Sequence, residues 1–451
     1  MGVRAQFKSR GGFVLAAAGS AVGLGNIWAF PTQVAQNGGG AFLLAYLLLV
    51  FILGYPVLVA ELLIGRHGQA NPLTALRRVA ATAGGSGYRT SAGLIGVIGI
   101  LGVSLILSFY AIVSGWLLGY LLSSIARLLG CSQAAGWLIH PSPLRDGVLM
   151  ALFMLLTAGV IRQGVTQGIE QCSARLMPLL FLFLVVMSGY IVLQPGALAG
   201  LKIYLVPDCA RLLNAPLLIS ALGQAFFSLS IGVCAMMTYG SYLPRSENVP
   251  LVAAQVVFFD TLVAFLAGLL VIPALFVAQR QGITIYDQQQ QLLSETSLVF
   301  EVLPALFERL GVLGSGLSLL FFGLMIMAAL TSAIAMLEVP VLCLTETCGY
   351  SRRSATGWVA LGISLISVAI ISHFNPLFNG IVALTTYYIQ PIVGLAGALL
   401  VGWLWQRVSL LQEIRSGYPN VENSLFWRIW PGYLRFVCPL LILLVFLAQW
   451  W

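Results

Sequence analysis

A single carboxylate lies near the middle of an apolar stretch that is long enough to cross a membrane. This residue is Asp260, in the segment VVFFDTLVAFLAG. A charged side chain at that depth costs at least a few kcal/mol, so it is a functional candidate by default. Tyr110, Thr331 and Ser332 lie at a similar depth in two other apolar stretches. Together they predict a polar site at mid-membrane, although a protonated core acid and hydroxyls bonded to their own helices would also fit.

Two apolar stretches are interrupted at the same depth. The first contains AAAGSAVGLGNIWAFP (16–31), and the sixth contains GQAFFSLSIG (223–232). A broken helix leaves backbone N–H and C=O groups unpaired, which persists in a membrane only where protein, water or a ligand satisfies them. Freed carbonyls suit a small cation, and half-helix N-termini suit a carboxylate. The alternative for the first stretch is a GxxxG packing contact between helices.

The composition identifies the elements that must hold this site. The 451 residues are 59% hydrophobic and 8% charged, with a mean hydropathy of +0.97. A soluble domain is about a quarter charged, so we expect an all-α polytopic membrane protein with a single membrane domain over 1–451. Eleven spans of about 20 residues are predicted. They cover 12–35, 40–65, 91–126, 147–162 (which is short), 172–193, 214–243, 249–278, 312–345, 356–373, 376–406 and 431–451.

The basic residues predict the orientation. Most of them, including Arg66, Arg77 and Arg78, fall in alternate connecting segments that begin with the N-terminus. The positive-inside rule therefore places the N-terminus in the cytoplasm and the chain in the cell inner (plasma) membrane. The net charge of +8 is then a signal of topology, and no nucleic-acid partner is expected.

The interrupted spans 1 and 6 are five spans apart, so they cross the membrane in opposite directions. This pattern predicts two inverted five-helix repeats, over 11–193 and 214–406, and an additional eleventh helix over 431–451. The outer loop at about 279–311 is predicted to be helical and to cover the outer mouth.

Four segments carry a family resemblance. AGSAVGLGNIWAFP, QNGGGAF, GQAFFSLSIG and ALTSAIAMLE closely resemble the bacterial branch of the neurotransmitter:sodium symporters, from Gly11 to the end of span 10. The resemblance implies the leucine-transporter fold and a sodium-coupled amino-acid transporter, not an enzyme, which works by alternating access. It also implies two Na⁺ ions and a small amino-acid substrate, while the oligomeric state stays open.

The resemblance assigns site residues position by position. The first sodium would be bound by the Ala21 carbonyl, Asn26, Ser228 and Asp260. The second would be bound by the carbonyls of Gly19, Val22 and Ala328 and the hydroxyls of Thr331 and Ser332. The substrate would contact Ala21, Gly23, Leu24, Gly25, Ile106, Tyr110, Phe227, Ser228, Ser230, Val233, Ser332 and Met336.

Three positions discriminate within the family. Members that carry monoamines have an aspartate where this chain has Gly23, so an α-amino acid with its carboxylate fits better here. Val233 leaves a roomy pocket, which favours hydrophobic L-amino acids, bulky or aromatic ones included, although a methylene changes selectivity by only about 1–3 kcal/mol. Asp260 can supply the negative charge that chloride provides elsewhere in the family, so transport is expected to be chloride-independent. We also expect Asp260 to be protonated after sodium leaves, which would let a proton return outward.

One departure concerns the outer gate. The family pairs an arginine, here replaced by Ala29, with an acid that would fall near Asn375 and Pro376. Both partners are absent, so Tyr110 and Phe227 are expected to close the site instead.

Two further acids are predicted near the cytoplasmic side. Glu61 is expected to pair with Arg66 at the inner face. Glu338 is expected either to line an inner path or to be solvated.

Two alternatives remain for the function. The same fold and sodium coupling could serve another small zwitterionic solute. An intramembrane serine hydrolase would use the serines at depth, but the chain has no GxSxG and no mid-span histidine beside them.

Overall fold

The structure, a computed structural model, describes residues 5–84, 86–286 and 294–448. An isolated β-bridge joins Gly39 and Pro207, and the described residues are otherwise almost entirely helices and their connections. The helices are α1 (Arg10–Ala21), α2 (Phe30–Gln36), α3 (Gly40–Leu49), α4 (Tyr55–Gly68), α5 (Pro72–Ala81), α6 (Ser86–Leu128), α7 (Ser132–Ile139), α8 (Pro143–Arg162), α9 (Gln171–Val192), α10 (Ala197–Leu205), α11 (Ala215–Ser228), α12 (Ala235–Gly240), α13 (Val249–Arg280), α14 (Glu295–Ser297), α15 (Leu303–Arg309), α16 (Gly311–Cys348), α17 (Arg352–Ser372), α18 (Phe374–Ala383), α19 (Gln390–Leu399), α20 (Arg407–Arg415) and α21 (Leu425–Leu447).

The membrane spans follow the predicted order. In the part of the chain that the structure describes, nine helices are long and apolar enough to cross a membrane, and Arg10–Ala21 with Gly25–Gln36 forms a tenth span bent by 58°. The predicted span 214–243 consists of α11 and α12, separated by residues 229–234. Both predicted interruptions are therefore confirmed. The outer loop is helical over α14 and α15, as predicted.

The fourth span is longer than predicted. The helix begins at Pro143, with Ser142 as its N-cap, and has 20 residues. The predicted span begins at 147 because the charged residues Arg145 and Asp146 end the apolar stretch on that side. In the structure these two side chains pair at 2.9 Å, which lets them lie inside the helix.

The first interruption results from a change of hydrogen-bond partners. The Gly23 N–H, which an unbroken helix would donate to the Gly19 carbonyl, donates to Asn26 Oδ1 at 3.2 Å. The Asn26 N–H donates to the Gly23 carbonyl, also at 3.2 Å, and not to Val22. Two of the carbonyls assigned to the second sodium, those of Gly19 and Val22, are thereby released from these helical bonds.

The second interruption rests on left-handed backbone. Ser230, Gly232 and Cys234 have φ values of 52°, 80° and 62°. A Cβ on Gly232 would lie 2.1 Å from the Gln390 carbonyl oxygen, so only glycine fits. Such strain persists where the surrounding structure fixes it.

Two distant side chains satisfy the backbone of this second interruption. Glu61 Oε1 accepts a hydrogen bond from the Gly232 N–H at 2.8 Å, and Gln390 Nε2 donates to the Ile231 carbonyl at 3.4 Å. The predicted ion pair between Glu61 and Arg66 is therefore wrong. Arg66 is five residues further along α4, which turns it away from the face of Glu61.

Six π-helical turns of five or six residues interrupt the described helices. Four of them lie directly before an X-Pro step, namely at Pro31, Pro56, Pro304 and Pro391. Proline lacks an N–H and clashes with the carbonyl four residues before it, so the residue before each proline bonds five residues back instead. The turns are Gly25–Ala29, Val50–Gly54, Val165–Glu170, Leu298–Val302, Leu384–Ile389 and Leu400–Leu404.

The hydrogen-bond partners of Arg66 are far from it in the sequence. Its Nε donates to Glu413 Oε1 at 2.8 Å, and its Nη1 donates to the Glu247 carbonyl at 2.7 Å. His67 Nδ1 lies 3.1 Å from the other oxygen of Glu413. These contacts fasten α20 to the end of α4.

The Glu413 carboxyl makes stability depend on pH. Burial opposes its charge, but hydrogen bonds and charge from His67 and Arg66 lower its pKa below the ordinary 4.5. A lowered folded-state pKa stabilises the protein above the unfolded value, and this contribution is lost as the pH falls through the folded value. The wild type should therefore lose its advantage in melting temperature over Glu413→Gln as the pH drops below about 4.5. Glu422→Gln, which removes the exposed partner of Arg415, should show no such trend, and equal trends would contradict the prediction.

Candidate functional site

The first interruption meets α11 and α13 around Asp260. Asn26 Nδ2 donates to Asp260 Oδ1 at 2.8 Å and to Ser228 Oγ at 3.0 Å. Ser228 Oγ donates to Asp260 Oδ2 at 2.7 Å. All three side chains are buried. The structure thus brings together the three side chains assigned to the first sodium; their role as ligands stays a prediction.

Two further residues support this cluster, and neither is predicted from the sequence. The Tyr46 hydroxyl lies 3.1 Å from Ser228 Oγ, and Gln224 Nε2 donates to the Gly25 carbonyl at 3.3 Å. Tyr46 is fully buried in α3. Both are polar residues within apolar stretches. Because buried polar groups need hydrogen-bond partners, this position alone could have marked them as neighbours of the site.

The residues assigned to the second sodium lie where α1 meets α16. A Cβ on Gly19 would be 3.1 Å from Thr331 Cβ, so the helices approach closely there. Thr331 Oγ1 donates to the carbonyls of Met327 and Ala328, both at 3.1 Å. Its proton is therefore used within α16, and its lone pairs remain available to a cation.

The assigned substrate positions converge beside the first cluster. A Cβ on Gly23 would lie 3.2 Å from both the Tyr110 hydroxyl and Ser332 Oγ. The Tyr110 hydroxyl is buried and makes no hydrogen bond of normal geometry within the described residues. Val233 and Met336 are buried, whereas Ile106, Phe227 and Ser230 are partly exposed. Leu24 is buried, and Gly25 is exposed. This arrangement leaves a phenolic donor next to a glycine.

An aromatic cluster covers the site on the side that the sequence predicts to face outward. Phe300, in the outer loop, contacts the rings of Trp28, Trp116 and Tyr120 with centroids 5.6, 6.0 and 5.2 Å apart. Trp116 also lies 5.5 Å from Phe374. Trp28 and Phe374 flank the positions, Ala29 and Asn375, where an ion pair was expected. Ring packing therefore occupies the positions where the ion pair was expected, and an exposed ion pair of Arg127 with Glu308 lies beside it.

Charged side chains pair on the side that the sequence predicts to face the cytoplasm. Glu338 is fully buried and accepts from Arg352 Nη2 at 2.6 Å and from the Tyr242 hydroxyl at 2.5 Å. The expectation of a solvated Glu338 is wrong, because the carboxylate is buried, pairs with the Arg352 guanidinium and accepts a hydrogen bond from Tyr242. Nearby, Glu170 accepts from the backbone N–H groups of Lys8 and Ser9 and holds the N-terminal segment against α9.

A helical membrane bundle with two broken helices and an oxygen-rich site between them defines a secondary transporter. Comparison with known proteins identifies the family. The chain belongs to the sodium:neurotransmitter symporter family, whose family model matches residues 4–146 and 145–450. It is a sodium-dependent symporter with the leucine-transporter fold, not an enzyme, so the serine-hydrolase alternative is wrong.

Individual relatives span nearly the whole chain. An uncharacterized sodium-dependent transporter of Bacillus subtilis (strain 168) is 36% identical over 98% of this chain and 97% of its own. Sodium- and chloride-dependent GABA transporter 2 of Homo sapiens is 25% identical over 95% of this chain and 76% of its own. The crystal structure of MhsT in complex with L-phenylalanine has a TM-score of 0.83 and 33% identity, and covers 99% of this chain and 100% of that one.

Proposed function

We propose that this chain imports hydrophobic L-amino acids together with two sodium ions, independently of chloride, by alternating access. The cluster of Asn26, Ser228 and Asp260 beside Gly23 is the observation that carries the proposal. A carboxylate and a serine hydroxyl lie beside the broken first span, and a turn of the Asn26 amide would add a third oxygen, a set that suits a hard cation. Gly23 leaves room for the carboxylate of an amino acid beside that cation.

The proposed substrate class rests on the pocket and on one neighbour. The Tyr110 hydroxyl can donate to a carboxylate, and Val233, Met336 and Phe227 offer apolar surface. MhsT, a structural neighbour of similar length, was crystallised with L-phenylalanine. A hydrophobic side chain, aromatic ones included, therefore fits better than a charged one.

The proposal that transport does not need chloride rests on Asp260. Its carboxylate bears a formal negative charge within the cluster, so no second anion is needed to balance the first sodium. After sodium is released to the cytoplasm, a proton would bind the Asp260 carboxylate and neutralise it. The proton would be released outside when the empty transporter returns to its outward-facing state. The N-terminus is proposed to face the cytoplasm of a cell whose inner (plasma) membrane holds the protein, as the distribution of arginines indicates.

A stability panel tests the substrate class. Each of the twenty amino acids is added to the purified protein in sodium buffer and in potassium buffer, and the melting temperature is measured. Hydrophobic amino acids should raise the melting temperature in sodium only, because ligands stabilise the state that binds them. Stabilisation by a sugar or an amine, with none by any amino acid, would overturn the proposal.

The second sodium site has its own prediction. Thr331→Val keeps the shape of the side chain but removes the hydroxyl, so the sodium concentration for half-maximal uptake should rise about tenfold, as for a lost hydrogen bond to a charged group. Thr157→Val is the matched control, because Thr157 is also buried and donates to its own helix, at Phe153. The assignment fails if both variants respond alike to sodium.

A further inference from the structure

Two adjoining cavities lie outside the transport site, where α6, α19 and α21 come together. The larger, of about 610 Å³, is lined by Arg407, Arg435, Trp403 and Trp430 among others. The smaller, of about 190 Å³, is lined mainly by apolar residues such as Ile95. Tyr88 and Leu404 line both, so the two cavities adjoin each other, and together they are called the groove.

The groove changes from polar to apolar with depth. Along α6 the smaller cavity continues inward from Tyr88 to Ser91 and Ile95. Along the other wall it continues inward from Leu404 to Ala396. Both walls therefore lead from a basic, aromatic mouth at the ends of the helices to an apolar channel within the span. This gradient matches the headgroup and the first part of an acyl chain of a phospholipid.

The two arginines of the mouth are held by rings and not by acids. The Arg435 guanidinium lies 4.0 Å from the centre of the Trp403 ring, and the Arg407 guanidinium lies 5.5 Å from that of Trp427. The ion pairs among the described residues involve other arginines, and no acid lines the mouth. Ring stacking leaves the guanidinium N–H groups at the edge free to donate to a phosphate.

We propose that this groove binds an anionic phospholipid, with the headgroup phosphate between Arg407 and Arg435 and an acyl chain in the channel beyond Tyr88. Basic pockets between membrane helices favour anionic headgroups, and tryptophans at the same level sit well at the membrane interface. A free phosphate shares the headgroup chemistry but would leave the apolar channel unused. The site is separate from the sodium and substrate residues, so it stands or falls independently of the proposed function.

Lipid retention tests the headgroup. The purified full-length protein in mild detergent is given equal amounts of phosphatidylglycerol and phosphatidylcholine with the same acyl chains, and native mass spectrometry counts the bound lipid. The wild type should retain phosphatidylglycerol preferentially. A double variant, Arg407→Gln with Arg435→Gln, should lose about 30-fold in that preference, about fivefold for each arginine. Arg428→Gln, an exposed arginine of α21 outside the groove, should keep it.

A second comparison separates a lipid from a soluble anion. Ser91→Phe places a large side chain in the channel between Tyr88 and Ile95, so it should reduce lipid retention while leaving both arginines in place. Millimolar inorganic phosphate should not displace the lipid. Retention unchanged in the double arginine variant, or displacement by phosphate together with normal retention in Ser91→Phe, would overturn the proposal. Melting temperatures close to that of the wild type show that each variant is folded.

Discussion

Replacing Asp260 by asparagine should abolish sodium-dependent uptake in chloride-free medium, or raise the half-maximal sodium concentration roughly 100-fold or more. The carboxylate accepts from Asn26 at 2.8 Å and from Ser228 at 2.7 Å. Asparagine keeps the size but removes the formal charge that faces the proposed ion. Removing one partner of a buried charge interaction costs about 3–5 kcal/mol, which sets this scale. The measurement is uptake of a labelled hydrophobic amino acid into vesicles, with gluconate in place of chloride.

Two comparisons make the result specific. Asp208→Asn is the same chemical change at an exposed residue, whose partner is Arg211, and should leave uptake unchanged. Adding chloride should restore part of the uptake of Asp260→Asn if an anion can occupy the vacated position. Unchanged, chloride-independent uptake by Asp260→Asn would refute both the charge role and the proton return assigned to this residue.

Replacing Gly232 by alanine should destabilise the protein by roughly 3 kcal/mol or more. The added Cβ would lie 2.1 Å from the backbone oxygen of Gln390, and the residue has a φ of 80°. The left-handed backbone and the overpacking each cost about 1–3 kcal/mol. The variant should melt well below the wild type in detergent, and transport should be lost because the second interruption cannot form.

Gly223→Ala is the matched control in the same span. Its Cβ would meet nothing closer than the Phe227 ring, at 3.9 Å, and Gly223 lies inside α11. Alanine is favoured over glycine within a helix by about 1 kcal/mol, so this variant should be as stable as the wild type or more so. Equal melting temperatures for the two variants would show that the backbone at Gly232 is not constrained as described.

The sequence predicted the interruptions and the depth of the site because glycine, serine and a lone carboxylate stand out in apolar stretches. It did not predict which side chains bond to the free backbone groups of the interruption in the sixth span. Glu61 was paired with its neighbour Arg66, whereas it binds Gly232, 171 residues away. Arg66 instead finds Glu413, 347 residues away. Such partners depend on which helices pack together, and that information is not local.

Around Ala29, the sequence predicted what is missing but not what takes its place. The missing arginine at Ala29 was visible in the sequence, but the replacement for the ion pair was not. Trp28 and Phe374 take part in a ring cluster centred on Trp116 and Phe300. Because ring packing is not screened by salt, the contacts within this ring cluster should depend little on ionic strength.

Each π-helical turn contains one residue more than an α turn, and this extra residue affects how a span can rotate. Converting a π turn to α geometry would rotate the helix beyond it by about 100° and advance it by about 1.5 Å. Such a conversion exchanges one backbone hydrogen bond for another and exposes no unpaired group to lipid. The turns before Pro31 and Pro391 are held in π geometry by the proline, whereas Val165–Glu170 precedes no proline and leads directly into α9. Conversion of Val165–Glu170 to α geometry would therefore rotate α9 about its own axis without leaving a backbone group unpaired.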